Sequence, residues 1–299
     1  MKQLIKFIVI VIIGFFITDR IGTIGMKALY SNTDNEHTKK MRYISSGIKE
    51  DCLIMGSSGA CHHFVPSIFE DSLGLSTYNC GFDGSGDIFF NYSVLALLLK
   101  RHIPKMIIFE IGNMFFNNDA KTIARLYPYI GKSSITDSVI NCYGNYYLCY
   151  ISHLYRYKID FPQNLRDIWG GREYIKGYMP LKYAPVNMKL INSPYKKDIT
   201  PQIKNYLSKF ILLCKHNNIT LVFVTIPMYS IVKSNTYAPI DSIAKKYNIP
   251  YYNYHALGLF HDKPDLFINE NHFCDKGAKM FSSIVLYDLK KYLSKKKKE

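Results

Sequence analysis

Short apolar runs alternate with longer amphipathic stretches along most of the chain. A run of four to seven mostly apolar residues bounded by turn residues is typical of a buried parallel strand, whereas apolar positions at helical spacing indicate a helix. The predicted strands are residues 52–55, 106–111 and 220–226, and the predicted helices are residues 88–101, 201–216, 239–247 and 275–293. This alternation predicts an α/β fold, a three-layer sandwich with a central parallel sheet.

The N-terminal segment has the pattern of an export signal. Lys2 and Lys6 lead into the apolar residues 7–18, and Asp19 and Arg20 follow them. Because no small-x-small cleavage site comes next, we predict an uncleaved membrane helix rather than a removed signal peptide, with a buried core helix as the alternative. Basic residues ahead of the apolar ones favour a cytoplasmic N-terminus. We therefore expect a membrane-anchored protein whose main domain is extracytoplasmic, on the periplasmic or cell-surface side.

The rest of the chain divides by composition. Residues 1–21 form the predicted anchor or signal segment, and the polar residues 22–50 form a juxtamembrane connector. The main α/β domain is predicted for residues 51–299. Residues 118–198, rich in Tyr, Gly and Asn, break the strand–helix rhythm. We interpret them as an insertion that packs over the sheet and shapes a cleft.

Composition narrows the classes of protein that fit. Hydrophobic residues make up 48% and aromatic residues 15% of the 299, which favours a folded chain. The formal net charge of +15 is spread along the sequence, and only residues 295–298 form a dense basic run. No nucleic-acid motif accompanies it, so we predict no nucleic-acid partner and keep a basic nucleic-acid-binding protein only as a weaker alternative. Seven cysteines without regular spacing signal neither a zinc module nor a disulfide framework.

A serine follows the first predicted strand. Ser58 lies in a Gly56-Ser57-Ser58-Gly59 turn. In a parallel sheet this position places the hydroxyl beyond the carboxyl ends of the strands, where α/β folds place their sites. An ordinary Gly/Ser loop is the alternative.

A histidine precedes the last predicted helix. His272 lies in a loop that could direct its imidazole towards Ser58, the arrangement that nucleophilic catalysis needs. The alternative is a surface or hydrogen-bonded core histidine without a chemical role.

Together these two segments resemble the first and last blocks of SGNH/GDSL hydrolases. Ser58 stands where the family has the nucleophile of a Gly-Asp-Ser-like triplet, and His272 stands where an Asp-x-x-His sequence precedes the final helix. Gly81 falls at the position of the oxyanion-hole glycine. Asn113, in Glu110-Ile-Gly-Asn, resembles the asparagine that serves the same hole.

The resemblance covers roughly residues 51–293 and implies the flavodoxin-like fold of SGNH hydrolases. It is closest to the anchored, exported branch that includes alginate-type polysaccharide O-acetylation proteins, in which a segment like residues 177–182 occurs. The implied activity is that of a serine esterase or O-acyltransferase acting on an acylated cell-surface polysaccharide or another ester, without a cofactor.

The chain departs from the family pattern beside both residues. Asn269 replaces the expected Asp, and an amide does not stabilise a charged imidazole as a carboxylate does. Glu270 or the more distant Asp265 could orient His272 instead, or a Ser58–His272 dyad could use a backbone carbonyl. A catalytically inactive carbohydrate-binding or polysaccharide-assembly protein is the alternative.

Two further motifs could suggest a metal site and a phosphate-binding loop. Cys61-His62-His63 could suggest a metal site, but adjacent histidines without spaced ligands favour a helix start or a cleft wall, so we predict no metal. The stretch from Asp83 to Gly86 lacks the spacing of a phosphate-binding loop. We interpret it as a flexible loop near the oxyanion hole.

Overall fold

The computed structural model describes residues 1–112, 120–171, 174–182, 188–192, 199–233 and 235–296, with only the backbone described at 120 and 121. In chain order the helices are α1 (Lys2–Asn32), α2 (Glu36–Ser46), α3 (Ser58–His63), α4 (Pro66–Leu73), α5 (Ile88–Leu98), α6 (Ala120–Ala124), α7 (Ser134–Tyr143), α8 (Tyr146–Ile151), α9 (Phe161–Arg166), α10 (Pro201–His216), α11 (Ala238–Tyr247) and α12 (Asp275–Lys296). The strands are β1 (Cys52–Gly56), β2 (Thr77–Gly81), β3 (Met106–Glu110), β4 (Ile191–Asn192), β5 (Thr220–Thr225), β6 (Ser230–Ile231), β7 (Tyr251–Asn253), β8 (Phe267–Asn269) and β9 (His272–Phe273).

Two compact units make up the chain. One contains Met1–Gly47 and Asn118–Arg172, and the other contains Ile48–Asn117 and Glu173–Glu299. The first is helical in its described part, and the second holds the strands. The predicted site residues all belong to the second unit.

Five parallel strands form the main sheet of the second unit. Their order is β2-β1-β3-β5-β7, with Cys52 opposite Thr77 on one side and Met106 on the other. This is the 2-1-3-4-5 order of flavodoxin-like doubly wound folds. The prediction of an α/β fold with a central parallel sheet is confirmed. The chain changes direction across the sheet at β1, so the carboxyl ends of β1 and β3 border the crevice where such folds bind ligands.

Apolar side chains cover both faces of this sheet. On one face Ile54 and Ile108 belong to the same core as Phe281 of α12, and α12 packs against α3 and α4. On the other face Phe109 stacks on Phe210 of α10, with ring centroids 4.5 Å apart, and α10 packs against α5. Since neighbouring residues of a strand point to opposite faces, a sheet covered on both sides requires uninterrupted apolar runs such as that of β3.

Two strands of the sheet were not predicted. β2 contains a polar residue in its middle, Asn79, which is buried because its amide donates to the carbonyls of Ala60 and Phe64 at 2.7 and 2.9 Å. β7 has only three residues and lies at the edge of the sheet. Neither sequence forms an apolar run, which was the criterion for predicting a strand.

The first unit is built on the long helix α1. Apolar side chains between residues 4 and 17 are exposed, whereas Asp19, Thr23 and Tyr30 are buried. The Asp19 carboxylate accepts from the Ser152 hydroxyl and from the N–H groups of His153 and Leu154.

Across the described helices, none is both long enough and apolar enough to pass through a membrane. The predicted N-terminal membrane helix is therefore not confirmed. The helix that contains residues 1–21 continues to Asn32, and its second half packs within the first unit.

A short segment of the second unit lies along the edge strand β2. The N–H of Asn79 donates to the carbonyl of Lys176 at 2.8 Å, and the N–H of Met179 donates to the carbonyl of Cys61 at 3.1 Å. Between them, Gly177 has φ +81°, and a Cβ there would lie 1.9 Å from the Asn79 carbonyl oxygen. Only glycine fits this position, in both conformation and space.

We predict that Gly177→Ala destabilises the protein by about 2–4 kcal/mol, because it adds a steric overlap to the strain of a positive φ. Gly74→Ala is the matched control: Gly74 has φ +64° but nothing within 4 Å of its added Cβ, so it should cost about 1 kcal/mol. Urea unfolding of both variants measures the difference. Equal losses would contradict the close approach at Gly177.

Candidate active site

Ser58 is the first residue of α3, directly beyond the carboxyl end of β1. The preceding residue, Ser57, caps the helix: its Oγ accepts from the Gly59 N–H at 3.2 Å and donates to Glu110 Oε2 at 2.8 Å. The Ser58 side chain is half-buried, and neither its hydroxyl nor its N–H is hydrogen-bonded to any described residue. An unpaired N–H is expected at the first position of a helix. Ser58 therefore has a hydroxyl and an N–H available beside the crevice.

Glu110 ends β3 and is the buried carboxylate of this region. It is only 1% exposed, and its bond from Ser57 joins the end of β3 to the start of α3. The sequence analysis assigned no role to Glu110. A charged residue at the end of an apolar strand was the available signal, because a buried carboxylate needs hydrogen-bond partners.

A two-residue hairpin turn presents His272. Asn269 and His272 are paired across β8 and β9, with Glu270 and Asn271 forming the turn. The Asn269 Oδ1 accepts from the Asn271 N–H at 2.9 Å, which identifies this atom as the amide oxygen. The same oxygen lies 3.0 Å from His272 Nδ1, so the proton of the neutral ring is on Nδ1. Nε2 therefore carries the lone pair that a general base needs.

The His272 ring lies against α3. Its centroid is 5.5 Å from that of His62 and 5.9 Å from that of His63, both in edge-to-face geometry. Ser58 and His62 are four residues apart in the helix and share one of its faces. No hydrogen bond joins Ser58 to His272 within the described residues. Catalytic hydrogen bonds often tighten only when substrate binds.

Burial favours the neutral form of the His272 and His63 rings. Burial lowers the pKa of His272 below its ordinary value, and the neighbouring His62 lowers it further, whereas Asp83 raises it. Burial also holds the pKa of His63 well below the ordinary value, and its Nε2 accepts from the Phe273 N–H at 3.2 Å. A neutral His272 at pH 7 is able to accept a proton.

Among the described residues, His272 Nδ1 bonds to the Asn269 amide and to no acid. The Glu270 side chain is exposed and has no hydrogen bond or ion pair within the described residues. Asp265 instead faces Lys276, at 3.5 Å. The idea that either acid orients His272 is not supported, because the Asn269 amide occupies that position.

Of the two predicted oxyanion residues, the structure describes only Gly81. The Gly81 N–H donates to Asn79 Oδ1 at 2.9 Å, so it is not available to an oxyanion in this structure. A Cβ at Gly81 would lie 2.5 Å from the Cys61 nitrogen, which gives this glycine a packing role between β2 and α3. The oxyanion role of Gly81 stays a prediction, and it would require this N–H to exchange the Asn79 oxygen for the substrate. Asn113 lies outside the described residues, and its role stays a prediction.

The neighbouring histidines use ring nitrogens in protein contacts. His62 Nδ1 is 2.8 Å from the Met179 carbonyl oxygen, and His63 Nε2 accepts from the backbone. Among the residues that the structure describes, no three His, Cys, Asp or Glu side chains are grouped to hold a metal ion.

Comparisons with known proteins give only distant likenesses. No family model matches the chain, and no curated protein matches it. A protein from Desulfitobacterium hafniense DCB-2 described as lipolytic and of the G-D-S-L family superposes with a TM-score of 0.39 and 10% identity, over 79% of this chain and 98% of that one. A protein from Bacteroides fragilis NCTC 9343 described as an acylhydrolase gives a TM-score of 0.42 and 12% identity, over 85% and 96%.

We predict that Asn269→Ala lowers kcat for ester hydrolysis by roughly 10- to 100-fold, because His272 loses the acceptor that fixes its tautomer and orientation. Asn269→Asp keeps the acceptor and adds charge, so it should retain or raise kcat. Steady-state kinetics of ester hydrolysis by both variants measure these changes in kcat. Wild-type kcat in Asn269→Ala would show that the amide does not orient the base.

Proposed function

We propose that this protein is an SGNH-type serine esterase or O-acyltransferase with Ser58 as nucleophile and His272 as general base. The observation that supports this most strongly is the bond between Asn269 Oδ1 and His272 Nδ1. It leaves Nε2 as the basic nitrogen of a ring that packs against α3, the helix that starts at Ser58.

The reaction would proceed through an acyl-enzyme. His272 Nε2 takes the proton of the Ser58 hydroxyl while Oγ bonds to the ester carbonyl carbon. The tetrahedral intermediate collapses, the bond to the alcohol oxygen breaks, and His272 returns the proton to the departing alcohol. Water or a second hydroxyl then attacks the acyl-enzyme with His272 again as base, which releases the acid or a new ester.

The Ser58 N–H is the donor we assign to the oxyanion. It points from the first turn of α3 and is not hydrogen-bonded within the described part of the chain. Backbone N–H groups aimed at the developing charge give large rate effects, because they need no reorganisation during the reaction. Asn113 remains the proposed second donor.

For the substrate we propose an acylated cell-surface carbohydrate. The support is the resemblance of residues 51–293 to polysaccharide O-acetylation proteins. The acceptor of the second step, water or a sugar hydroxyl, distinguishes the esterase from the transferase. The catalytically inactive carbohydrate-binding protein remains the second candidate, favoured by the missing Ser58–His272 hydrogen bond.

We predict that the purified full-length protein hydrolyses short-chain aryl esters and that Ser58→Ala lowers kcat at least about 10³-fold. Ser67→Ala, an exposed serine of α4, is the matched control and should leave kcat unchanged. Release of the aryl alcohol measures both. Carbohydrate binding without turnover by the wild type would favour the inactive binding protein.

We also propose that the exposed apolar surface of α1 binds to a lipid bilayer. The apolar side chains between residues 4 and 17 are exposed and follow one another along this half of the helix, and a contiguous exposed apolar surface marks an interaction site. Lys2 and Lys6 would contribute attraction to anionic lipid.

We predict that the full-length protein floats with vesicles of phosphatidylcholine and phosphatidylglycerol. The double substitution Ile10→Asp with Ile13→Asp should reduce the bound fraction by at least about tenfold, since each isoleucine contributes roughly 1.5–3 kcal/mol when buried. Leu257→Asp, an equally exposed apolar residue of the second unit, is the control and should float like the wild type. Wild-type protein that stays in the aqueous fraction would contradict the proposal.

A further inference from the structure

His272, the proposed general base, has an orienting group but no hydrogen bond to a carboxylate among the described residues. Its only hydrogen bond within the described residues is to the neutral Asn269 amide. When His272 takes the Ser58 proton it becomes positively charged, and an amide offers that charge much less stabilisation than a carboxylate does. A carboxylate elsewhere in the site would supply what Asn269 lacks.

Among the described residues, the titratable groups that act on His272 come from α3 and from the loop after β2. His62 and His63 face it from α3, and Asp83 lies in the loop after β2. The charge of Asp83 acts on His272 in the direction that favours the protonated ring, against the effects of burial and of His62. Sequence reasoning treated Asp83 only as part of a flexible loop.

His62 connects Asp83 to the site. Its Nδ1 donates to the Met179 carbonyl oxygen at 2.8 Å, which fixes the ring, and its Nε2 lies 3.7 Å from Asp83 Oδ2. The His62 side chain is 3% exposed and the Asp83 side chain is 38% exposed. The protein therefore shields this contact from solvent on the His62 side. The centroid of the His272 ring lies 5.5 Å from that of the His62 ring, so His62 contacts both Asp83 and His272.

We propose that the two tasks of a triad acid are divided here: Asn269 orients His272, and Asp83, which lies beside His62, supplies the negative charge that stabilises His272 when it is protonated. Asp83 and His62 are positioning and electrostatic residues of the site. The inference rests on the proposed function of His272 as general base.

The test is a pH titration of His272 in the full-length protein, in which the NMR chemical shift of its Hε1 proton reports the protonation of the ring. In Asp83→Asn the pKa of His272 should fall by roughly half a unit or more, because a nearby negative charge is lost. Asp83→Glu should restore it. Asp71→Asn, an exposed carboxylate of α4, is the control for loss of one charge and should leave it unchanged.

The pH dependence of kcat/KM should shift in the same direction as the pKa of His272. A protonated His272 does not accept the Ser58 proton, so kcat/KM falls as the pH drops through its pKa. In Asp83→Asn this acid limb should move to lower pH, and the kcat at the plateau should fall about tenfold. Asp83→Ser serves as a second neutral variant if the Asn variant does not fold.

An unchanged His272 pKa in folded Asp83→Asn or Asp83→Ser overturns the inference. A lower kcat with an unmoved acid limb overturns it too, since that indicates a structural role only. The titration needs no turnover, whereas the proposed function is tested by the loss of esterase activity in Ser58→Ala. Failure of one is therefore distinguishable from failure of the other.

Discussion

The amide oxygen of Asn269 accepts two hydrogen bonds within one tight turn, from the Asn271 N–H at 2.9 Å and from His272 Nδ1 at 3.0 Å. The backbone bond keeps the amide from rotating, so the oxygen always faces the imidazole. The neutral imidazole therefore has its proton on Nδ1, and Nε2 is left unprotonated to act as the proposed base. A residue that weakens the family pattern in the sequence thus performs the orienting task in the structure, and the proposed mechanism depends on it.

The sheet determines where the proposed nucleophile and base lie. Because β1 and β3 are parallel neighbours at the point where the strand order reverses, their carboxyl ends open on the same crevice. The hydrogen bond from the Ser57 hydroxyl to Glu110 connects the start of α3 to the end of β3. On the other side, α3 packs against α12 and β9, which brings the hairpin of His272 to the helix of Ser58. Sheet topology and helix packing together position residues more than two hundred positions apart in sequence.

Sequence reasoning succeeded where local physics decides the structure. The apolar runs of β1, β3 and β5 and the period of α10 and α12 predicted those elements because each is buried by its own pattern. It failed where tertiary contacts decide: β2 is a strand although Asn79 lies in it, since distant carbonyls satisfy the amide. The availability of the Gly81 N–H depends on the same side chain. The proximity of Asp83 to His62 links two segments about twenty residues apart and has no local signature.

Covalent labelling with an alkyl fluorophosphonate shows whether His272 activates Ser58 as a nucleophile. Such a reagent forms a stable bond with an activated serine and releases fluoride. Peptide mass spectrometry of the labelled full-length protein should find the modification on Ser58, with labelling strongly reduced in His272→Ala. Absence of labelling, or labelling of Ser58 at the same rate without His272, would contradict the account.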